Sequence, residues 1–152
     1  MQLHTTPRAA QSITLGYDPM DAIHAEFEAL LAQAADASDA ALALQIDALQ
    51  AHLQAHFDAE DRWMRATDFP ARDCHMDEHA AVLRSAGEVR LKLAAGDTAL
   101  ARRFVAELAH WFPGHADYLD SALAHWMCAR QYGGKPVVLQ RQPRRHCAPA
   151  PG

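Results

Sequence analysis

The stretch HMDEH, residues 75–79, can be read in two ways that lead to different folds. By its letters it is H-x-x-E-H, the motif of the inverted zinc proteases, with two histidine ligands and a glutamate base. By its spacing it is a pair of imidazoles four residues apart on a helix. Such a pair points one way and can grip one metal. The rest of the chain decides between the two.

Outward from this stretch the chain divides into four helical segments. The helix carrying HMDEH opens after Asp68-Phe69-Pro70 and runs to about residue 95, where Gly96-Asp97 supplies a stop followed by a cap. Before it, Asp36-Ala37-Ser38-Asp39 caps a helix over roughly residues 40–67. Leu42, Ile46, Leu49, Leu53, His56, Phe57 and Glu60 lie near one stripe of that helix. Asp18-Pro19 starts the first helix, with Pro suited to a first turn, and Ile23, Phe27, Leu30 and Leu31 repeat along it at helical spacing. The fourth helix covers about residues 98–130 with Pro113 inside it, and Gly133-Gly134 closes the domain. Short connections between long amphipathic helices make neighbours antiparallel. The expected fold is therefore all-α, an up-down-up-down four-helix bundle over residues 18–132. An N-terminal arm (1–17) precedes it. A Pro-rich, basic tail (133–152), with no periodicity, follows and is expected to be disordered.

Composition fits this picture and excludes several classes. The 152 residues suffice for one domain with a real core, half of them are hydrophobic, and glycine and proline are few. A net charge of −5, without a basic stripe in the body, gives no footprint for nucleic acid. No apolar run approaches the ~20 residues that span a bilayer. The N-terminus lacks the apolar core of a signal peptide, so a cytoplasmic location is expected. The three cysteines show neither C-x-x-C spacing nor an even-numbered framework. Histidine is the unusual residue, with ten in the chain.

Placed on the helices, these histidines converge. His24 shares a side with Phe27 and Leu31, which should point inward. His56 and Glu60 are four apart on the second helix, as are His75 and His79 on the third. His115 and Asp120 are five apart, ~140° around a regular helix, so they can reach one centre only from two sides. A lone histidine on an apolar face is usually a satisfied core residue. Five imidazoles and two carboxylates buried together are costly without compensation, and a shared metal supplies it. Imidazole with carboxylate suits iron, zinc or another first-row metal.

The four motifs, His24 within PMDAIHAEF, HFDAE at 56–60, HMDEH at 75–79 and HADYLD at 115–120, resemble those of the hemerythrins, in particular the bacterial single-domain type. The resemblance covers about residues 12–130. It implies two iron ions (Fe2+/Fe3+) with an oxo or hydroxo bridge. His75, His79 and His115 would hold one iron, His24 and His56 the other, and Glu60 and Asp120 would bridge them. Three histidines plus three bridges fill one six-coordinate iron and leave the other one position short, where the resemblance puts dioxygen. The implied activity is reversible dioxygen binding for storage or for delivery to an oxygen-consuming enzyme, with no catalytic residue. Phe27, Phe57 and Trp111 are either core aromatics or, with Tyr118, the lining of an oxygen pocket.

The fourth helix departs from the family pattern. Pro113 removes a backbone hydrogen bond and should kink the helix just before His115. Ala116 stands in place of a large aliphatic residue, and Tyr118, three after His115, is expected to face the site. Its hydroxyl would then influence the lifetime of the bound ligand, unless the ring merely fills the space that Ala116 leaves. His52 is expected in a supporting or surface role, and Glu107 with His110 is a lone Glu-x-x-His, too little for a ferritin-like site. His4, His125 and His146 look peripheral. Glu78 lies ~100° from the direction of His79 and is expected on the bundle surface.

Three further functions compete: a sensor of oxygen or redox state, a di-iron oxidase or peroxidase, and the zinc protease. A sensor would be supported by a fused signalling domain. A protease needs a third zinc ligand and a substrate groove, and it leaves His24, His56, Glu60 and Asp120 without a role.

Overall fold

A computed structural model describes residues 13–131; the Pro-rich tail and most of the N-terminal arm lie outside the described residues. Helix α1 spans Asp18–Asp36, α2 Asp39–Ala66, α3 Arg72–Ala94 and α4 Thr98–His115. The fourth rod continues through a π-helical turn, Ala116–Asp120, into α5, Ser121–Gln131. The described residues contain no strand, and none of their helices is long and apolar enough to cross a membrane.

Local chemistry sets the boundaries. Proline sits in the first turn of α1, and the Asp21 carboxylate reaches back to accept the Leu15 and Gly16 N–H groups at 2.7 and 3.0 Å. Ser38 caps α2 by accepting the Ala41 N–H, and Asp97 caps α4 by accepting the Leu100 N–H at 3.0 Å. Asp68 ends α2 in the left-handed region at φ 54°, and the Phe69 N–H closes back onto the Met64 carbonyl at 2.9 Å. This is the Schellman arrangement, with a short polar residue in the place usually held by glycine.

Adjacent rods pack around a closed bundle: α1 on α2, α2 on α3, α3 on α4, and α4 back on α1. Each contributes one stripe at three- and four-residue steps. In α1 the stripe is Met20, His24, Phe27, Leu31 and Ala34; in α2 it passes through Leu49, Leu53, His56, Phe57, Glu60 and Met64. In α3 it includes His75 and His79, and in α4 it runs Ala101, Val105, Leu108, Phe112 and His115. The polar residues thus occupy positions that the helical period sends inward. Bundle formation itself carries them to the axis.

Two apolar clusters enclose them. One contains Phe27, Leu31, Leu42, Ile46, Leu49, Leu53, Phe57, Phe112 and Ala116. The other contains Tyr17, Met20, Met64, Phe69, Leu123 and Ala124. His24 follows Met20 and precedes Phe27 on its stripe, Glu60 lies between Phe57 and Met64, and Asp120 between Ala116 and Leu123. The polar layer is therefore closed along the bundle axis by hydrocarbon on both sides.

Candidate metal centre

The structure brings all seven residues together, each essentially without solvent exposure. They form two groups that share both carboxylates. Glu60, His75, His79, His115 and Asp120 offer ligand atoms within 4.8 Å of one another, and so do His24, His56, Glu60 and Asp120. The two oxygens of each carboxylate face different groups. Glu60 Oε1 lies 2.9 Å from His56 Nε2 and 3.5 Å from His24 Nε2, while Oε2 lies 3.3 Å from His75 Nε2 and 3.1 Å from His79 Nε2. Asp120 Oδ2 lies 3.1 Å from His24 Nε2, and Oδ1 lies 2.9 Å from His75 Nε2 and 3.0 Å from His115 Nε2.

These close approaches are poor hydrogen bonds. Apart from the bond between His56 Nε2 and Glu60 Oε1, the inward atoms are unsatisfied: Nε2 of His24, His75, His79 and His115, Oε2 of Glu60 and both oxygens of Asp120. Buried polar atoms without partners are costly, and a cluster of them aimed at common points is satisfied by cations. Neutral imidazoles and carboxylates in this number suit first-row metals. The seven side chains fit a metal centre.

Charge within the cluster follows the same geometry. Burial is the largest influence on His24 and opposes its charge, yet the facing carboxylates of Asp120 and Glu60 outweigh it and raise this imidazole to about 9. His115 is likewise raised to about 9, against burial, by Asp120 and Glu78. His75 is raised by Asp120 and Glu60, again against burial. Burial pushes the carboxylates up, but the surrounding imidazoles hold Glu60 well below its ordinary range and lower Asp120 despite the repulsion of Glu60. Positive charge is thus favoured on these imidazoles beside the two carboxylates, where metal ions would supply it.

Outer contacts divide the histidines. His79 Nδ1–H donates to Asp61 Oδ1 at 2.8 Å. Glu78 accepts from Trp111 Nε1–H at 2.8 Å and places its other oxygen 3.4 Å from His115 Nδ1. Glu78 is therefore no plain surface residue. The angle on its own helix was the wrong measure, because its side chain reaches across to α4. His115 is the first influence holding its carboxyl below the ordinary value.

The aromatic residues sort by side. Phe57 stacks on His79 with ring centres 4.0 Å apart, and Trp111 lies 4.4 Å from the His115 ring. Phe27 and Phe112 meet edge-to-face at 4.9 Å, with Phe112 5.0 Å from His24 and Phe27 5.9 Å from His56. Phe112, absent from the sequence-based pocket, thus walls the two-histidine side, whereas Trp111 covers the three-histidine side. His52 is stacked on Phe27 beside His56, in the supporting position expected for it.

Tyr118 does not face the site; its side chain is 44% exposed. The reason is the π-helical turn. Hydrogen bonds from i to i+5 bring residues five apart nearly into line, so Asp120 falls beneath His115 and Tyr118 is turned outward. Ala116 is fully buried within the core cluster of Phe27, Phe57 and Phe112. Pro113 sits inside a continuous α4, and the irregularity in the rod is the turn after it. Glu107, His110 and His125 are exposed.

Comparison with known proteins agrees with this centre. Residues 15–126 match the family model described as the Hemerythrin HHE cation binding domain. The chain is 44% identical, over 121 residues, to a protein named Bacteriohemerythrin from Ralstonia nicotianae (strain ATCC BAA-1114 / GMI1000). That alignment covers 80% of this chain and 88% of the relative. No solved structure matches.

Proposed function

The chain belongs to the hemerythrin HHE cation-binding family, and from that premise we propose that it binds dioxygen reversibly at a pair of non-haem iron ions, for storage or delivery. His75, His79 and His115 would hold one ion, His24 and His56 the other, with Glu60 and Asp120 shared between them. The carrying observation is the division of each carboxylate: one oxygen faces each histidine group. A single zinc site would use one group and strand the other. An iron pair held there would supply the electrons for reversible dioxygen binding.

The protein's own part is geometric and electrostatic. Helical stripes from all four rods aim Nε2 atoms and carboxylate oxygens at two neighbouring points, so little reorganisation accompanies loading. Glu60 and Asp120 together bring two negative charges into an apolar interior, which favours divalent cations over vacant imidazoles. Met20 and Leu123 on one side, and Phe27 and Phe112 on the other, keep water from the layer. Exclusion of water and protons is what keeps oxygen binding reversible and suppresses side reactions.

The test is anaerobic loading of the full chain with Fe2+ followed by oxygen titration in the visible range. A charge-transfer band that appears with oxygen, disappears on its removal, and corresponds to two irons per chain is the expected result. Zinc at one ion per chain, or rapid irreversible oxidation, overturns the proposal.

A further inference from the structure

The two halves of the cluster differ behind their ligand atoms. Carboxylates stand behind His79 and His115, both in the three-histidine group: Asp61 at 2.8 Å from His79 Nδ1, and Glu78 at 3.4 Å from His115 Nδ1. Among the described residues nothing stands there for the others. Nδ1 of His24, His56, His75 and His115 is buried without a hydrogen-bond partner, so Asp61 alone accepts from a ring nitrogen, and Glu78 stands behind His115 as a nearby negative charge. The two-histidine half thus has no outer carboxylate at all.

This difference has a chemical consequence. A carboxylate accepting Nδ1–H fixes the tautomer with the Nε2 lone pair directed inward, and it makes that nitrogen a stronger donor. It also places a further negative charge near any cation bound there. We propose that Asp61 and Glu78 are positioning residues that make the three-histidine half the tighter metal site, so that the centre loads in order, this half first and the His24/His56 half second. The inference rests on the two-metal reading of the centre. Both carboxylates are suitably held: Asp61 is 18% exposed and within hydrogen-bond distance, and Glu78 is anchored by the Trp111 indole. Glu78 is the more solvated, at 37% exposure, and it is farther from its histidine. Asp61 therefore has the larger effect.

Donor count alone also favours this half, with five ligand residues against four. Variants separate the two contributions. Asp61→Asn and Glu78→Gln keep shape and acceptor oxygen while removing charge, and every ligand residue remains. His56→Ala reports the other half. The experiment is an anaerobic titration of the metal-free full chain with Co2+, followed by visible absorption and calorimetry, with circular dichroism to verify folding.

The wild-type chain is expected to bind two Co2+ in two resolved steps. Removing an outer partner of this kind lowers metal affinity about ten- to a hundredfold. Asp61→Asn should weaken the first step within that range, and Glu78→Gln should weaken it near the lower end. Both should leave the second step unchanged, so that the steps draw together. His56→Ala should lose the second step and keep the first. Equal affinities in the wild type, an unaltered first step in both carboxylate variants, or equal weakening of both steps overturns the proposal while leaving a two-metal centre intact. Saturation below two Co2+ per wild-type chain overturns the two-metal reading, and the loading order with it.

Discussion

His115 and Asp120 lie on one side of the fourth rod, Nε2 and Oδ1 3.0 Å apart, although five residues separate them in sequence. A regular α-helix would set them ~140° apart. The π-helical turn over Ala116–Asp120 removes that offset, and Asp120 comes to face His24, His75 and His115 at once. Glu60 does the same from α2 toward His24, His56, His75 and His79. Between them these two residues hold both halves together.

Loss of either carboxylate should therefore cost more than one ligand. In Asp120→Ala and in Glu60→Ala, metal content after Fe2+ loading should fall from two ions per chain to one or none. The remaining imidazoles cannot supply a shared ligand. Elemental analysis with magnetic measurements checks this. Two coupled ions retained in either variant would refute the assignment of these residues as bridges.

The metal-free protein should have a narrow range of maximum stability. His24 and His115 are raised from 6.5 to about 9, so their stabilising contribution is complete below pH 6.5 and disappears as pH rises through about 9. Glu60 is depressed from 4.5, so its contribution is complete above that value and is lost only as pH falls through its lower folded value. The melting temperature in chelator should therefore be highest between about pH 4.5 and 6.5 and should decline toward pH 9. Metal loading replaces the protons on these imidazoles, so it should release protons at neutral pH and abolish the alkaline decline. Melting curves across pH with and without metal decide it. A metal-free melting temperature that stays level or rises from pH 6.5 to 9 contradicts this account.

The helices and the seven clustered residues were legible in sequence because both depend on a periodicity that the chain writes directly. Met20, His24, Phe27 and Leu31 step inward at four and three, and the polar members of each stripe go where the apolar ones go. Two features were not legible, for one shared reason: each depends on something other than the α period of its own helix. Glu78 and Asp61 sit beside ligand positions and look turned away, but their side chains meet the neighbouring rods at Trp111, His115 and His79. Phe112, by contrast, lies on the helical stripe Ala101, Val105, Leu108, Phe112 and His115, so the α period of its own helix sends it inward beside His24. The π-helical turn has no residue signature in HADYLD, and the α-helical angle that would turn Tyr118 inward does not apply there.

The outward position of Tyr118 makes its hydroxyl dispensable. Tyr118→Phe should leave the oxygenated spectrum and autoxidation rate at wild-type values and should change stability by no more than about 0.5 kcal/mol, as for other exposed substitutions. Stopped-flow oxygen binding and the decay of the oxygenated band measure this. An altered rate would require the ring to turn inward in the loaded protein.

Phe112 carries the opposite expectation. Its ring is buried, meets Phe27 edge-to-face and lies 5.0 Å from His24, on the side that has fewer histidines. Truncation to alanine removes the hydrocarbon nearest that half and leaves a cavity beside unsatisfied polar atoms, a place that water can enter and hydrogen-bond. Phe112→Ala should lower stability by about 3–5 kcal/mol. It should also speed autoxidation, because admitted water brings protons and a competing ligand to the pocket. Phe112→Leu keeps most of the apolar volume, so it should lose less of both. Trp111→Phe separates the two sides of the centre. It removes the indole that anchors Glu78, on the three-histidine side, while leaving the Phe27–Phe112 wall in place. If the wall at Phe112 guards the oxygen-binding half, Trp111→Phe changes metal affinity more than autoxidation, and Phe112→Ala does the reverse. Equal autoxidation in both variants would refute the assignment of Phe112 as the guarding wall.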